Sequence, residues 1–177
     1  MVIWIAGLSG AGKTTVARLL YEGLKPSVPQ LVLLDGDAIR ETVSGDLGYA
    51  EGERVKQVTR VQRLARLLSQ QGLVVIVALV YAHPDLLRWN REQIEGYFEV
   101  LLDAPIELVR HRDPKGIYRR ASSGQMLDVV GHDIPWHRPV APDLVLDPVQ
   151  TPEALADRIA HAIPFITEHW MVRTARD

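Results

Sequence analysis

Five short runs along the chain are almost unbroken in apolar residues: Val2–Ala6, Leu31–Asp35, Leu73–Leu79, Phe98–Leu102 and Leu144–Leu146. A strand with one wet face alternates apolar and polar residues, so runs like these predict strands buried on both faces, as in a parallel sheet. Between them, apolar positions recur at helical spacing. Helices are predicted over Lys13–Leu24, Glu53–Gln71, Asp85–Glu95 and Pro105–Arg112, and from Thr151-Pro152-Glu153 to about Ala162. The long Glu53–Gln71 segment sets Val55, Val58, Val61, Leu64, Leu67 and Leu68 on one face, with Arg60, Arg63 and Arg66 nearby, and stops before Gly72. Thr151 and Pro152 are an N-cap followed by proline at the first helical position. Alternating strands and helices predict a single α/β domain over residues 1–177, with five mostly parallel strands, doubly wound, and helices on both faces.

The alternation breaks down between Asp113 and Pro142, where Gly116, Gly124, Gly131, Pro135 and Pro139 are mixed with charged residues. A long irregular stretch inside a compact domain predicts a lid or binding loop, here over about residues 112–142.

Composition narrows the function classes. A chain of 177 residues with 47% hydrophobic and 24% charged residues has the make-up of one soluble domain with a full core. Its net charge of −2 leaves no electrostatic footprint for DNA or RNA, so no nucleic-acid partner is expected. The absence of cysteine excludes disulfides, thiolate nucleophiles and Cys-ligated zinc, and suits a reducing cytoplasm. Met1–Ala6 meets glycine too early for a signal peptide, and the longest apolar run, Leu73–Ala82, is about half of the ~20 residues that a membrane span needs. No membrane partner is expected either.

The chemistry begins after the first strand. Gly7-Leu8-Ser9-Gly10-Ala11-Gly12-Lys13-Thr14 fills the pattern G-x-x-x-x-G-K-[ST], with a strand before it and a helix after it. Glycines let the main chain wrap closely enough for several N–H groups to face a phosphate, and the helix opening at Lys13 adds its positive dipole end. Gly7, Ser9, Gly10, Ala11 and Gly12 are therefore expected around the phosphates of ATP. Lys13 would supply a cation to the β/γ oxygens, and the Thr14 hydroxyl a ligand for Mg²⁺. The sheet is then of the P-loop NTPase type.

Asp35-Gly36-Asp37 closes the second strand, the edge where doubly wound sheets hold ligands, and Arg40 follows. One carboxylate can orient or deprotonate an attacking hydroxyl while the other holds Mg²⁺. Asp37 is assigned to the acceptor and Asp35 to the metal, and with Lys13 they form the expected catalytic set. The alternative for this pair is a turn and a helix N-cap, which aspartate also favours.

Gly7–Thr15, Leu34-Asp35-Gly36-Asp37-Ala38-Ile39-Arg40, Asp46-Leu47-Gly48-Tyr49, Arg112-Asp113-Pro114-Lys115-Gly116-Ile117-Tyr118 and Pro142-Asp143-Leu144-Val145-Leu146-Asp147 together resemble the adenylylsulfate kinases, in order and over nearly the whole chain. The resemblance implies transfer from MgATP to the 3′-hydroxyl of adenosine 5′-phosphosulfate, a step of sulfate assimilation. It implies that Gly7–Thr15 bind ATP, that Asp37 and Arg40 hold the acceptor, and that Arg54 marks the acceptor side of the long helix. Tyr49 stands where the family stacks a Phe on adenine. Lys115 belongs to the lid and reaches acceptor or phosphates, and Arg112 lies against the ATP base. Gln57 takes the place of a family Asn, and Arg60 is a candidate for the acceptor's phosphate.

The departures from the family are Ala38 for Asn, Gln57 for Asn, Thr59 for Arg, Leu79-Val80-Tyr81-Ala82 for F-I-S-P, Leu127 for a basic residue and Val129 for a second stacking Phe. All cluster on the acceptor side. A second reading therefore keeps the chemistry and changes the acceptor to another nucleotide-linked metabolite, such as a cytidylyl conjugate. A third, a regulatory nucleotide-binding protein without transfer activity, is opposed by intact Lys13, Thr14, Asp35 and Asp37. No histidine pair has zinc spacing; lid contacts are one candidate role for His132 and His137. Tyr81, Trp89 and Asn90 fit either the acceptor pocket or the core. Trp170 and the tail after Pro164 pack either on the domain or on a second copy in a homodimer.

Overall fold

The computed structural model describes residues 1–174, with side chains as far as Trp170. The five apolar runs form one sheet: β1 (Val2–Ala6), β2 (Leu31–Asp35), β3 (Val74–Leu79), β4 (Tyr97–Leu102) and β5 (Leu144–Leu146). Their order is β2-β3-β1-β4-β5, and every pairing is parallel rather than most of them. Every residue of β1 and β3 is buried, as unbroken apolar sequence requires of central parallel strands.

The helices are α1 (Lys13–Leu24), α2 (Gly36–Thr42), α3 (Glu51–Gln70), α4 (Pro84–Gln93), α5 (Ile106–Arg112), α6 (Ile117–Ser122), α7 (Pro152–Ala162) and α8 (Pro164–Thr174). α1, α7 and α8 pack on one another as one layer, and α3 packs on β1, β3 and α4 to form the other. α2, α6 and α8 have no counterpart in the sequence pattern. The first two run seven and six residues, too short for an apolar period to show. α8 answers the question of the tail: Ile166 and Trp170 are buried, and the Trp170 indole donates to Asp157 of α7 at 2.9 Å. The described part of the tail therefore packs on its own domain.

Parallel register gathers the strand ends that matter. Ala6 lies beside Leu79 and Leu101, and Asp35 beside Ala78, so the loops after β1, β2, β3 and β4 leave from one edge. Residues 113–142 cover that edge and are not wholly irregular, because they hold α6 and a bridge between Val130 and Ile134. The arm that returns to β5 is stapled to the scaffold. Trp136 packs on the core, Arg138 pairs with Asp103 at 2.9 Å, and Arg91 of α4 holds both Asp143 and the Ala141 carbonyl.

Candidate active site

The loop after β1 is forced into its path by two glycines. A Cβ on Gly7 would lie 2.8 Å from the Leu102 carbonyl, so only glycine lets the chain leave the sheet against β4. Gly12 caps α1 with φ 97°, a left-handed conformation that costs a glycine nothing. Gly7 and Ala11 are buried under the loop, while Ser9, Gly10 and Gly12 face a cleft of about 500 Å³.

Lys13 reaches into that cleft and is only 8% exposed. Its ammonium donates to the Leu8 carbonyl at 2.8 Å, which folds the side chain back over its own loop. Burial, helped by nearby Lys115 and opposed by Asp37 and Asp35, pushes its pKa down to about 8. Thr14 and Thr15 line the same wall, and the Thr14 hydroxyl donates to the Asp35 carboxylate at 2.7 Å.

Asp35 takes the helix N-cap position that was the alternative for it, and it also receives the Thr14 hydroxyl. One oxygen receives Thr14, while the other caps α2 by accepting the Asp37 and Ala38 N–H groups at 3.0 and 3.5 Å. Gln57, 2% exposed on α3, donates to the Gly36 carbonyl at 3.1 Å and so fixes the middle of the turn. With Asp35 turned back, Asp37 is left projecting, and it pairs with Lys115 from the lid. Both partners are more than half exposed.

A second chamber of about 530 Å³ continues past that ion pair. Among the residues it shares with the first are Asp37, Arg40, Tyr49, Arg54 and Lys115, and among those it adds are Glu41, Ile117, Arg120, Met126 and Val129. Arg40 and Arg54 both bring a guanidinium against the Tyr49 ring, 4.5 and 5.5 Å from its centre. Arg40 also donates to the Leu47 and Gly48 carbonyls, and Arg54 to the Asp128 carbonyl at 2.6 Å. Burial, then the neighbouring Arg40, lowers the pKa of Arg54, and its Nε has no hydrogen-bond partner.

The cleft thus brings together the expected phosphate, metal and acceptor residues, and Arg112 lines its far side while donating to the Pro148 carbonyl. Arg60 stands apart. It makes a two-pronged pair with Asp46 at 2.5 and 2.7 Å and lines neither chamber. Sequence reasoning missed Arg120 and Met126, whose signal was the cluster of departures around Leu127 and Val129, and gave Ile117 no role although it lies in the Arg112–Tyr118 motif. Leu127 itself is 72% exposed, whereas Val129 is buried in the chamber floor.

Of the residues left between pocket and core, Tyr81 lines the cleft, while Asn90 is fully buried and bonded to Gln62 and Tyr97. Trp89 packs on the core beneath Arg66. His132 sits beside Asp133 within the lid, and His137 reaches out of it to Glu51. Among the described residues no three His, Asp or Glu side chains converge as a metal cluster.

Comparison with known proteins bears on the whole arrangement. The family model for adenylylsulphate kinase matches residues 1–147. An adenylyl-sulfate kinase of Paraburkholderia xenovorans is 38% identical over 165 residues, covering 92% of each chain. That of Pseudomonas aeruginosa is 37% identical over 89% of this chain and 82% of its own. Among solved structures, the Mycobacterium tuberculosis APS kinase CysC in complex with AMPPNP and APS has a TM-score of 0.84 at 32% identity, over 91% of this chain and 95% of the other.

Proposed function

Because the chain belongs to the adenylylsulphate kinase family, we propose that it transfers the γ-phosphoryl group of ATP to the 3′-hydroxyl of adenosine 5′-phosphosulfate, in sulfate assimilation. The observation that carries this reading is the position of Asp37. It lines both chambers, which share Arg40, Tyr49 and Arg54; one is floored by the phosphate loop and the other closed off by Ile117, Arg120 and Met126. A hydroxyl presented from the second chamber meets a carboxylate at the mouth of the first.

The transfer is a direct in-line displacement. Main-chain N–H groups of the loop and the Lys13 ammonium hold the β- and γ-phosphates and take up charge that develops on them. The Thr14 hydroxyl and Asp35 carboxylate fit Mg²⁺, which favours oxygen ligands, one or two carboxylates and the substrate's own phosphates. Bound there, the ion neutralises phosphate charge. The acceptor oxygen attacks the γ-phosphorus, the bond to the β-phosphate oxygen breaks, and the hydroxyl proton passes to Asp37. Lys115 leaves Asp37 as the acceptor enters and turns to the phosphates. The lid around it keeps out water that would otherwise hydrolyse ATP.

Among the described residues, Tyr49 is the one aromatic side chain lining the second chamber, where Val129 stands in the floor. That favours, as a second reading, a nucleotide-linked acceptor with less to stack on, such as a cytidylyl conjugate. Among the described residues no helix is long and apolar enough to cross a membrane. The test is ATP consumption across adenosine 5′-phosphosulfate, nucleoside monophosphates and cytidine diphosphate conjugates. Turnover with adenosine 5′-phosphosulfate at least tenfold above every other acceptor is expected; preference for a cytidylyl compound would replace the first reading with the second.

A further inference from the structure

The second chamber depends on Arg54, and Arg54 depends on the first turn of α3. That turn is poorly secured by the usual means: its N-cap is Ala50, which offers no side-chain hydrogen bond. It is held from outside instead. The Tyr81 hydroxyl, at the exit of β3, donates to Glu51 Oε1 at 2.8 Å. The same oxygen lies 3.7 Å from His137 Nε2 on the returning arm of the lid. The His137 ring meets Tyr81 edge-on at 6.0 Å and His83, the N-cap of α4, at 4.9 Å. Tyr81 is 4% exposed, and both burial and the Glu51 carboxylate keep its phenol protonated, so it remains a donor.

Three separate pieces of chain therefore meet at one carboxylate: the wall of the cleft, the start of α3 and the lid. Arg54 lies one helical turn beyond Glu51, spanning from the Tyr49 ring to the Asp128 carbonyl of the lid. A shift of the first turn would move the guanidinium relative to both.

We propose that Glu51, Tyr81 and His137 form a positioning junction that sets Arg54, and through it the acceptor chamber. None of the three is a catalytic residue; Tyr81 and Glu51 act through the helix they hold. The junction rests on the acceptor assignment made above.

Steady-state kinetics on Tyr81→Phe, Glu51→Ala and Glu51→Gln tests it, with hydrogen–deuterium exchange as a readout that needs no substrate. Tyr81→Phe keeps the ring contacts and loses only the donated bond. Tyr81→Phe and Glu51→Ala should raise the acceptor KM by about 5- to 10-fold while the KM for ATP stays within about twofold. Glu51→Gln, which still accepts from Tyr81, should recover most of the loss. Amides of residues 51–54 and 126–138 should exchange faster in the first two variants. Equal rises in both KM values, or exchange unchanged over those residues, would overturn the junction. If the wild-type protein prefers another acceptor, the functional reading fails, and the KM arm is run with that acceptor while the exchange arm stands as it is.

Discussion

The Thr14 hydroxyl donates a 2.7 Å hydrogen bond to the Asp35 carboxylate, tying the first turn of α1 to the N-cap of α2. That carboxylate caps α2, and its proposed hold on Mg²⁺ is a second job that substitution separates from the first. Asn caps a helix about as well as Asp, whereas Ala costs about 1 kcal/mol. Asp35→Asn should therefore unfold within about 0.5 kcal/mol of wild type in urea yet lose at least ~100-fold in kcat and need far more Mg²⁺. Asp35→Ala should lose the activity and about 1 kcal/mol besides. A fully active Asp35→Asn enzyme would remove this residue from the metal site.

Lys13 gives the site a proton signature. Burial holds its folded pKa at about 8, against an ordinary value of 10.5, so between those values the unfolded chain binds more protons than the native one. Stability of the nucleotide-free protein should accordingly rise with pH across that window as far as this group is concerned. Phosphates brought against the ammonium restore its charge. Binding of a non-hydrolysable Mg-nucleotide at pH 8 should thus take up about half a proton. Calorimetry in two buffers of different ionisation enthalpy measures this directly, and Lys13→Met should abolish it.

Much of this was legible in the sequence, for identifiable reasons. Unbroken apolar runs marked all five strands to within a residue, because central parallel strands leave no wet face to break the pattern. The phosphate loop was readable because its constraint is backbone geometry, which only glycine satisfies at Gly7 and Gly12. What escaped was contact between distant segments. Nothing local says that Arg60 turns to Asp46 while Arg54, less than two turns earlier, faces the chamber. Tyr81 and His137 stand 56 positions apart and meet only through the fold of the returning arm. Short helices such as α2 and α6 carry too few residues to display a period.

Asp37 pairs with Lys115, and both side chains line each of the two chambers. Removing the carboxylate's basicity should strike the chemical step. Asp37→Asn is expected to lower kcat by about 10²- to 10³-fold while ATP affinity, measured by nucleotide titration, changes less than about threefold. Near-wild-type kcat would refute the proton-accepting role.

Far from the cleft, Glu99 is buried on β4, receiving the Tyr97 hydroxyl at 2.9 Å, with Arg91 at 3.6 Å. Burial raises its folded pKa above the ordinary 4.5, outweighing Tyr97 and Arg91. From 4.5 up to that raised value the native state binds more protons than the unfolded one, so this group subtracts stability as pH climbs. Glu99→Gln keeps an acceptor for Tyr97 and removes the charge. Its unfolding free energy should fall less steeply above pH 4.5 than that of wild type, as urea titrations at stepped pH would reveal.

Two arginines of α3, Arg54 and Arg60, provide the sharpest test of where the acceptor lies. Arg54 stands in the second chamber, with a buried, unpartnered Nε and its guanidinium against Tyr49. A charged hydrogen-bond donor aimed at an anionic ligand is worth roughly 10- to 100-fold in affinity, and Arg54→Ala should raise the acceptor KM by that much. Arg60 is solvent-exposed and already engaged: its hydrogen bonds lower the pKa of Asp46 to about 2. Arg60→Ala should leave the acceptor KM within about twofold, because exposed ion pairs contribute little beyond their own partners. In the same variant the Asp46 carboxyl should titrate closer to its ordinary value of 3.8, visible by NMR. A large rise in KM from Arg60→Ala with none from Arg54→Ala would move the acceptor out of the second chamber altogether.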